Sequence, residues 1–337
     1  MHNGKRPSSA QTRSLRAEEL TTNILASDMT ALTTATMIIS GTERNLASPL
    51  LAYAAHMDSA GDTPLVSVVI PVFNGMKYLQ ETVTSVEAQT YPNIELVLVD
   101  GGSTDGSKEW IEAFPGNAIK DYLPQGSGAE KNWTRTCELS SGKFIKLLCQ
   151  DDVIYPHAVQ DQVSDFKQHP SAKIAFAQRD IIGPSGQMLS RSRGCQGMPA
   201  GLIDGKQGLL AGYRAGTNIF GEPVAVMFER QAMESALPWD DQYPFLLDVF
   251  FYTKILRNSP AVVRRKSIGA FRISSSSWST RLVGEQRKQF QAWQKQTAGL
   301  IDNPNILDHV LAFINNEKTT LLRRAAYRWL KLKGNMD

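Results

Sequence analysis

Between residues 65 and 149 the chain alternates apolar runs with stretches whose apolar residues recur at helical spacing. Leu65–Pro71 is an almost unbroken, β-branched apolar run, the pattern of a strand buried on both faces. Asn74-Gly75 marks a turn. Leu79, Val83 and Val86 then share one helical face, which predicts a helix over Tyr78–Gln89 that Tyr91-Pro92-Asn93 ends. Ile94–Val99 reads as a second buried strand, Asp100–Ser107 as a Gly-rich loop, Ser107–Ala113 as a helix and Ile119–Leu123 as a short strand. Gly126-Ser127-Gly128 leads into a helix at Ala129–Leu139. Ser140-Ser141-Gly142 closes it, and Lys143–Cys149 is a third strong strand. Strands alternating with helices imply βαβ units and a mostly parallel sheet, with ligands at the carboxyl ends of its strands.

The remainder is less regular. Pro156–Gln168 reads as a helix and Lys173–Gln178 as a strand, with a turn into another strand across Arg179–Gly186. Arg191–Gly205 is long, basic and Gly-rich, the composition of a mobile loop. Gly221–Arg230 contains a strand, Leu246–Leu256 is helical, and Val262–Ile273 holds two strand-like stretches. From Glu285 onward the pattern is helical. Within it Lys318–Lys333 carries Lys318, Arg323, Arg324, Arg328, Lys331 and Lys333 with no acid between them. Its apolar residues Leu321, Leu322, Ala325, Trp329 and Leu332 fall on one face. Residues 1–63, rich in Ser, Thr and Ala, read as a poorly ordered extension, and Met57 competes with Met1 as the biological start. The division expected is 64–280 for the main domain, split into halves 64–155 and 156–280, followed by a helical region 281–337.

Composition narrows the class. Of 337 residues 42% are hydrophobic and 20% charged, which excludes collagen, a wholly disordered chain and a disulfide-dense miniprotein. A net charge of +3 gives no footprint for nucleic acid. The three cysteines form no CxxC pair, and no HExxH or Cys/His cluster suggests zinc. Met29–Thr42 and Thr63–Met76, the longest stretches without charge, fall short of the roughly 18 apolar residues of a membrane span. A cytoplasmic protein follows as the expectation.

Three features carry candidate chemistry. Gln150-Asp151-Asp152 puts two carboxylates at the end of a buried strand, where a hard divalent cation is a suitable partner. Taken alone, it is also a common solvated turn or helix cap. Asp100–Ser107 brings three glycines and three hydroxyls to a strand end, so its backbone can approach a ligand closely. It matches neither the dinucleotide fingerprint nor the phosphate-binding loop. Asp248 sits among apolar residues in PFLLDVFFYTKIL. Facing a cleft it would be desolvated into a general base; facing solvent it would be an ordinary helix residue.

The series VSVVIPVFNGMKYLQETVTSVEAQTYPNIELVLVDGGSTDGS resembles the opening of family 2 glycosyltransferases, and the match continues through Lys131-Asn132, Ser141-Gly142-Lys143 and Gln150–Asp152. It covers Leu65–Pro156 strongly and runs on more weakly to Ile273. The resemblance implies an α/β class and a GT-A fold: a single mostly parallel central sheet flanked by helices, here with a helical C-terminal extension. It implies inverting transfer of a sugar from a nucleotide-diphospho-sugar, usually UDP-linked, to a hydroxyl of a carbohydrate or lipid-linked acceptor. Cell-surface polysaccharide or glycolipid assembly is the family's commonest setting. Carried over by position, Pro71, Val72, Phe73 and Asn74 line the nucleoside pocket and Asp100 bonds the base. Ser103 lies in the same loop, Asn132 flanks the nucleotide and Lys131 reaches a phosphate. Asp151 and Asp152 meet a divalent metal, Mn²⁺ or Mg²⁺, with Asp151 also at the ribose. Asp248 is the base and Glu222 faces the acceptor.

The chain departs from the pattern in several places. Gly101 stands where a second acid is usual, Cys149 where the first carboxylate of D-x-D would be, and Ser274 where FR-x-H has its His. The Q-x-x-R-W motif of processive synthases is absent. These changes keep open a second class, a catalytically impaired scaffold on the same fold. A nucleotidyltransferase lacks the Gly-rich basic signature it would need. The basic segment 318–333 suits peripheral contact with the inner face of a membrane, or else packing on the domain with its charges in solvent.

Overall fold

A computed structural model describes residues 63–274, 280, 282, 284–301 and 304–332. The expectations for residues 1–62, including the choice of start, and for Ser275–Ser279 and Lys333 lie outside these residues.

The strands are β1 (Val66–Val72), β2 (Ile94–Asp100), β3 (Ala118–Tyr122), β4 (Phe144–Leu147), β5 (Val153–Ile154), β6 (Ile174–Ile182), β7 (Met188–Arg193), β8 (Gly201–Ile203), β9 (Val226–Glu229) and β10 (Ala261–Arg272). They form one sheet in the order β3-β2-β1-β4-β9-β6-β10-β5, with β7 beside β6 and β8 beside β10. β1 to β4 run parallel, as do β6 and β10, while β9 is antiparallel to both neighbours. A single, mostly parallel sheet was the expectation.

Period-two alternation sends the two faces of each strand into different cores. Val66, Val68, Ile70 and Val72 pack with α1 (Met76–Glu87), α2 (Ser107–Ala113) and α4 (Ala158–Gln168), through Leu79, Val83, Ile111, Val159 and Val163. Val69, Val97, Ile145 and Leu147 pack on the opposite face. There α3 (Gly128–Glu138), α5 (Gly205–Ala215), α6 (Arg230–Ala236), α7 (Leu247–Leu256) and α8 (Gln286–Thr297) bring Cys137, Leu209, Met233, Phe251 and Trp293. Each such side chain, fully buried, contributes roughly 1.5–3 kcal/mol, which is why runs such as IELVLV can be apolar throughout.

Polar residues inside this core are bonded and hold the strand ends in place. Ser67 Oγ donates to Glu95 Oε1 at 2.6 Å and accepts from Gly142 N at 2.7 Å, fixing the turn into β4. Lys146 is wholly buried in β4. Its Nζ donates to Gln162 Oε1 at 2.9 Å and to Val224 O at 2.8 Å, pinning the 3₁₀ turn Pro223–Ala225.

Several expectations change. The helix predicted from Tyr78 starts at Met76. Asp105 and Ser107, some thirty residues away, accept the first N–H groups, so the cap is invisible locally. β6 continues through Arg179 as one strand. Val262–Ile273 is likewise one strand, β10, whose register against β6 shifts on either side of Ser267, and these irregularities produced the apparent break. The loop expected to be mobile at Arg191–Gly205 is anchored. It contains β8 and buries Cys195 and Met198, and Arg265 Nη1 donates to the carbonyls of both.

The last helix, α9 (Ile306–Leu332), lies against α5. Arg214 Nε donates to Asp308 Oδ1 at 2.6 Å, and a Cβ on Gly216 would lie 2.5 Å from Asn316 N. Gly216 also has φ +59°, so both space and backbone call for glycine there.

The tightest helix contact is at Gly205, where a Cβ would meet Leu256 O at 1.9 Å and Ser259 O at 2.3 Å. Gly205→Ala is expected to cost about 2–3 kcal/mol by overpacking and to lower Tm by roughly 4–12 °C; calorimetry against wild type measures this.

Candidate active site

The loops at the carboxyl ends of β1, β2 and β4 are sewn together by side chains that bond backbone. Gln150 Oε1 accepts from Phe73 N at 2.7 Å, and its Nε2 donates to Phe73 O at 2.8 Å. Its own carbonyl accepts from Thr82 Oγ1 at 2.8 Å. A Cβ on Gly75 would lie 2.2 Å from Gln150 Oε1, so the Asn-Gly turn is shaped by this clamp as much as by its own conformation. The Gly-rich loop is held in the same way. Ser103 Oγ accepts from Asn74 N at 2.9 Å, and Asn74 Oδ1 accepts from Thr104 N at 2.8 Å. Asn74 takes φ 51°, in the left-handed region that Asn tolerates.

The hydroxyls and amides that looked available to a ligand are therefore largely engaged within the protein. Ser103 and Asn74 clamp the loops, Pro71 and Val72 are buried in β1, and the Phe73 ring stands 51% exposed at the lip. Lys131 is exposed on α3.

Two polar atoms remain turned inward. Asp100 is fully buried; its Oδ2 accepts from Gly102 N at 2.9 Å and Ser103 N at 3.0 Å. Its Oδ1 has no partner among the described residues. Asn132 donates from Nδ2 to Val72 O at 2.9 Å, and its Oδ1 is likewise unpartnered. Val72 O also accepts from Gly101 N at 2.7 Å, so Asp100, Gly101, Asn132 and Val72 meet at one place. A Cβ at Gly101 would lie 2.7 Å from Asn132 Nδ2, a physical reason for Gly where an acid was expected. Buried acceptors left open in this way suit a ligand that presents N–H groups.

The acidic motif lies across β4. Asp152 is fully buried, and its Oδ1 accepts from Arg272 N at 3.0 Å because β5 and β10 pair alongside. Its Oδ2 is unpartnered among the described residues. Asp151 is half-buried. Burial raises both carboxyls above their usual range, and at Asp152 the Asp151 charge adds to it. The Arg272 guanidinium is 1% exposed and committed. It donates to Asp151 O at 2.8 Å and Glu81 Oε2 at 2.7 Å and lies 4.5 Å from the Tyr78 ring centre. It is not free to reach a phosphate. Of the two acids expected at a metal, Asp151 is the one with an open side, and Asp152 is bound into the sheet. Among the described residues no cluster of three or more His, Cys, Asp or Glu forms a ready-made metal cage.

Asp248 is the second residue of α7 and half-buried. Its Oδ2 accepts from Asn218 Nδ2 at 2.9 Å, and Asn218 is itself braced by Gly221 N at 3.0 Å. Arg179 pairs with Glu222 close by. Burial pushes Glu222 up, but the charge and hydrogen bond of Arg179 outweigh it and hold Glu222 low. Asp248 has no such partner: burial, then the Glu222 charge, push it up to about 7. The Cys149 thiol is raised by burial and then by the charges of Asp152, Asp151, Asp248 and Glu222. Asn218, Arg179 and Gln150 were not singled out as site residues from the sequence. The partners they hold lie 30 to 77 residues away, so even Gln150, which opens the acidic motif, showed no sign of its clamping role.

Comparison with known proteins bears on this site. The family model described as Glycosyl transferase family 2 matches residues 67–234. A Rickettsia felis protein named as an uncharacterized glycosyltransferase is 26% identical over 270 residues, 79% of this chain and 44% of that protein. The chain spans less than half the length of the first curated relatives it matches. S. aureus TarS 1-349, solved in complex with UDP-GlcNAc, superposes with TM-score 0.54 at 15% identity over 70% of each chain. A mannosyltransferase from Pyrobaculum calidifontis, solved with GDP-Man and Mn²⁺, gives TM-score 0.54 at 15% identity, over 80% of this chain and 75% of that one. At these identities the likeness is one of fold.

The Gln150 clamp is open to a direct check. Gln150→Ala removes both bonds to Phe73 and is expected to cost about 1–2 kcal/mol. Urea unfolding measures the loss, and faster hydrogen exchange at the Phe73 amide locates it.

Proposed function

This chain belongs to glycosyltransferase family 2 and has the GT-A fold, and we propose that it is an inverting transferase that moves a sugar from a UDP-linked donor to an acceptor hydroxyl. The observation that carries this reading is Asp248: a half-buried carboxyl raised to about 7, held by an amide rather than a cation, among the acids at the strand ends. A group that titrates near neutrality and is fixed in orientation suits proton abstraction from an alcohol.

In this reading Asp248 takes the proton of the acceptor hydroxyl as its oxygen attacks the anomeric carbon, and the nucleoside diphosphate leaves with the bonding pair. The open acceptors Asp100 Oδ1 and Asn132 Oδ1 receive N–H groups of the base, with the Phe73 ring at the lip; uracil N3–H suits Asp100. Lys131 meets a phosphate and Glu222, paired to Arg179, borders the acceptor. A divalent cation fits the oxygen donors of Asp151, with the unpartnered Oδ2 of Asp152 behind it, because Mg²⁺-type ions use one or two carboxylates plus substrate phosphates. Bound there, Mn²⁺ or Mg²⁺ would neutralise charge on the departing diphosphate.

Cell-surface polysaccharide or glycolipid assembly at the inner face of the membrane is the setting proposed, with a carbohydrate or lipid-linked acceptor. Among the described residues no helix is long and apolar enough to cross a membrane. Cys149, in place of a first carboxylate, favours the competing reading of a nucleotide-binding scaffold without transfer.

Two experiments separate these readings. Asp248→Asn is expected to lower turnover by roughly 10²–10⁴-fold while nucleotide binding is kept. In the wild type the rate should rise with pH through about 7, since the base acts deprotonated. A thermal-shift panel of UDP, GDP, dTDP and CMP with Mn²⁺ or EDTA should give a metal-dependent rise in Tm with UDP that Asp151→Ala removes. Binding without turnover would favour the scaffold.

A further inference from the structure

α9 packs on the rest of the chain through a narrow stripe. Asp308, Ala312, Asn316 and Thr320, spaced four apart, are buried. Asp308 is neutralised there by Arg214, whereas Glu317, which lies on the other side of the helix, is paired with Arg287, each at 2.6 Å. The opposite face is open. Ile306, Leu307, Val310, Phe313, Ile314 and Leu321 are 47% to 83% exposed. At 3.6 residues per turn these six occupy about a third of the helix circumference. Arg324 and Arg328 continue the same stripe toward the C-terminus, and Lys318 borders it; all three are exposed. No acid occurs from Lys318 to Lys333. An exposed apolar face of this kind, broken only by Glu317 and its partner Arg287, marks an interaction surface.

We propose that this face of α9 docks on a lipid bilayer carrying anionic headgroups. The apolar side chains enter the boundary between headgroups and acyl chains, and the cations meet lipid phosphates. Charge complementarity favours this occupant over a second copy. Parallel self-pairing along 307, 310, 314, 317, 321, 324 and 328 would set Arg324 and Arg328 against their own copies, whereas an anionic surface turns the same charges into attraction. The helix also reaches the proposed acceptor side. Arg323 lies 5.4 Å from the Phe245 ring centre, and its Nη2 donates to Thr217 Oγ1 at 3.4 Å. Thr217 precedes Asn218, which holds Asp248. This surface goes beyond the transfer reading and is tested without it.

The full chain is floated with vesicles of phosphatidylcholine alone or with about one-third phosphatidylglycerol, without donor or acceptor. Binding to the mixed vesicles is expected to be at least about tenfold tighter and to weaken with salt. The pair Phe313→Ser and Ile314→Ser, and separately Arg324→Gln and Arg328→Gln, should each reduce it roughly tenfold. These side chains are exposed, so the thermal unfolding of both variants should match wild type. Failure of the wild type to float, equal binding to both vesicles, or variants that bind like wild type would overturn the proposal. A dimer that Phe313→Ser and Ile314→Ser dissociate, with no vesicle binding, would assign the face to a second copy instead. With no donor present, none of these results bears on sugar transfer.

Discussion

Like charges gathered at one edge of a sheet repel, and this sheet brings Asp151, Asp152, Glu222 and Asp248 near enough to a single thiol, Cys149, for their charges to raise it. In a poorly solvated setting that repulsion is strong unless each charge is paired, bonded or neutralised by a proton. The chain uses a different remedy for each acid. Glu222 receives the guanidinium of Arg179 from β6 and stays ionised. Asp152 receives the backbone N–H of Arg272 from β10. Asp248 receives only neutral N–H groups, from Asn218 and the Val249 backbone, and is raised to about 7. Asp151 and Asp152 are raised as well, so of the four acids only Glu222, the one paired with a cation, is held low.

A second constraint is stiffness. Side chains bonded to the backbone of neighbouring loops hold the strand ends before any ligand arrives. Gln150 mimics a strand partner for Phe73, and Asp105 and Ser107 cap α1 from across the cleft. Groups fixed in this way need little reordering on binding, which raises the affinity available from a few contacts.

The apolar runs at Leu65–Pro71, Ile94–Val99 and Lys143–Cys149 were readable as strands because strands buried on both faces have few other solutions. Asp100, Asn132, Asp151 and Asp248 could be nominated because they stand in an order that resembles the family's. Less visible was anything that depends on contacts distant in sequence. The Gly-rich loop looked like a ligand cradle, yet Ser103, Asp105 and Ser107 spend their polar atoms on residues 74–76. Arg191–Gly205 looked mobile because composition does not reveal that Arg265 anchors it. Asp151 and Asp152 read as a metal-binding pair, and only the pairing of β5 with β10 shows that Asp152 is bound to the Arg272 backbone.

The position of β10 between β6 and β5 has a consequence for how the protein is made. On the ribosome the parallel quartet β1 to β4 is complete once residue 147 has emerged. β6 follows, but its partners β9 and β10 wait for residues 226–229 and 261–272. Until then only β7 covers part of β6, and its remaining edge is open, a state in which strands pair with whatever is near. The acids of the 151–152 turn appear early, and Arg272 appears late. The N–H that Asp152 accepts is thus supplied by the last strand of the sheet to arrive, and a nascent chain stalled before Arg272 would carry Asp151 and Asp152 side by side without it.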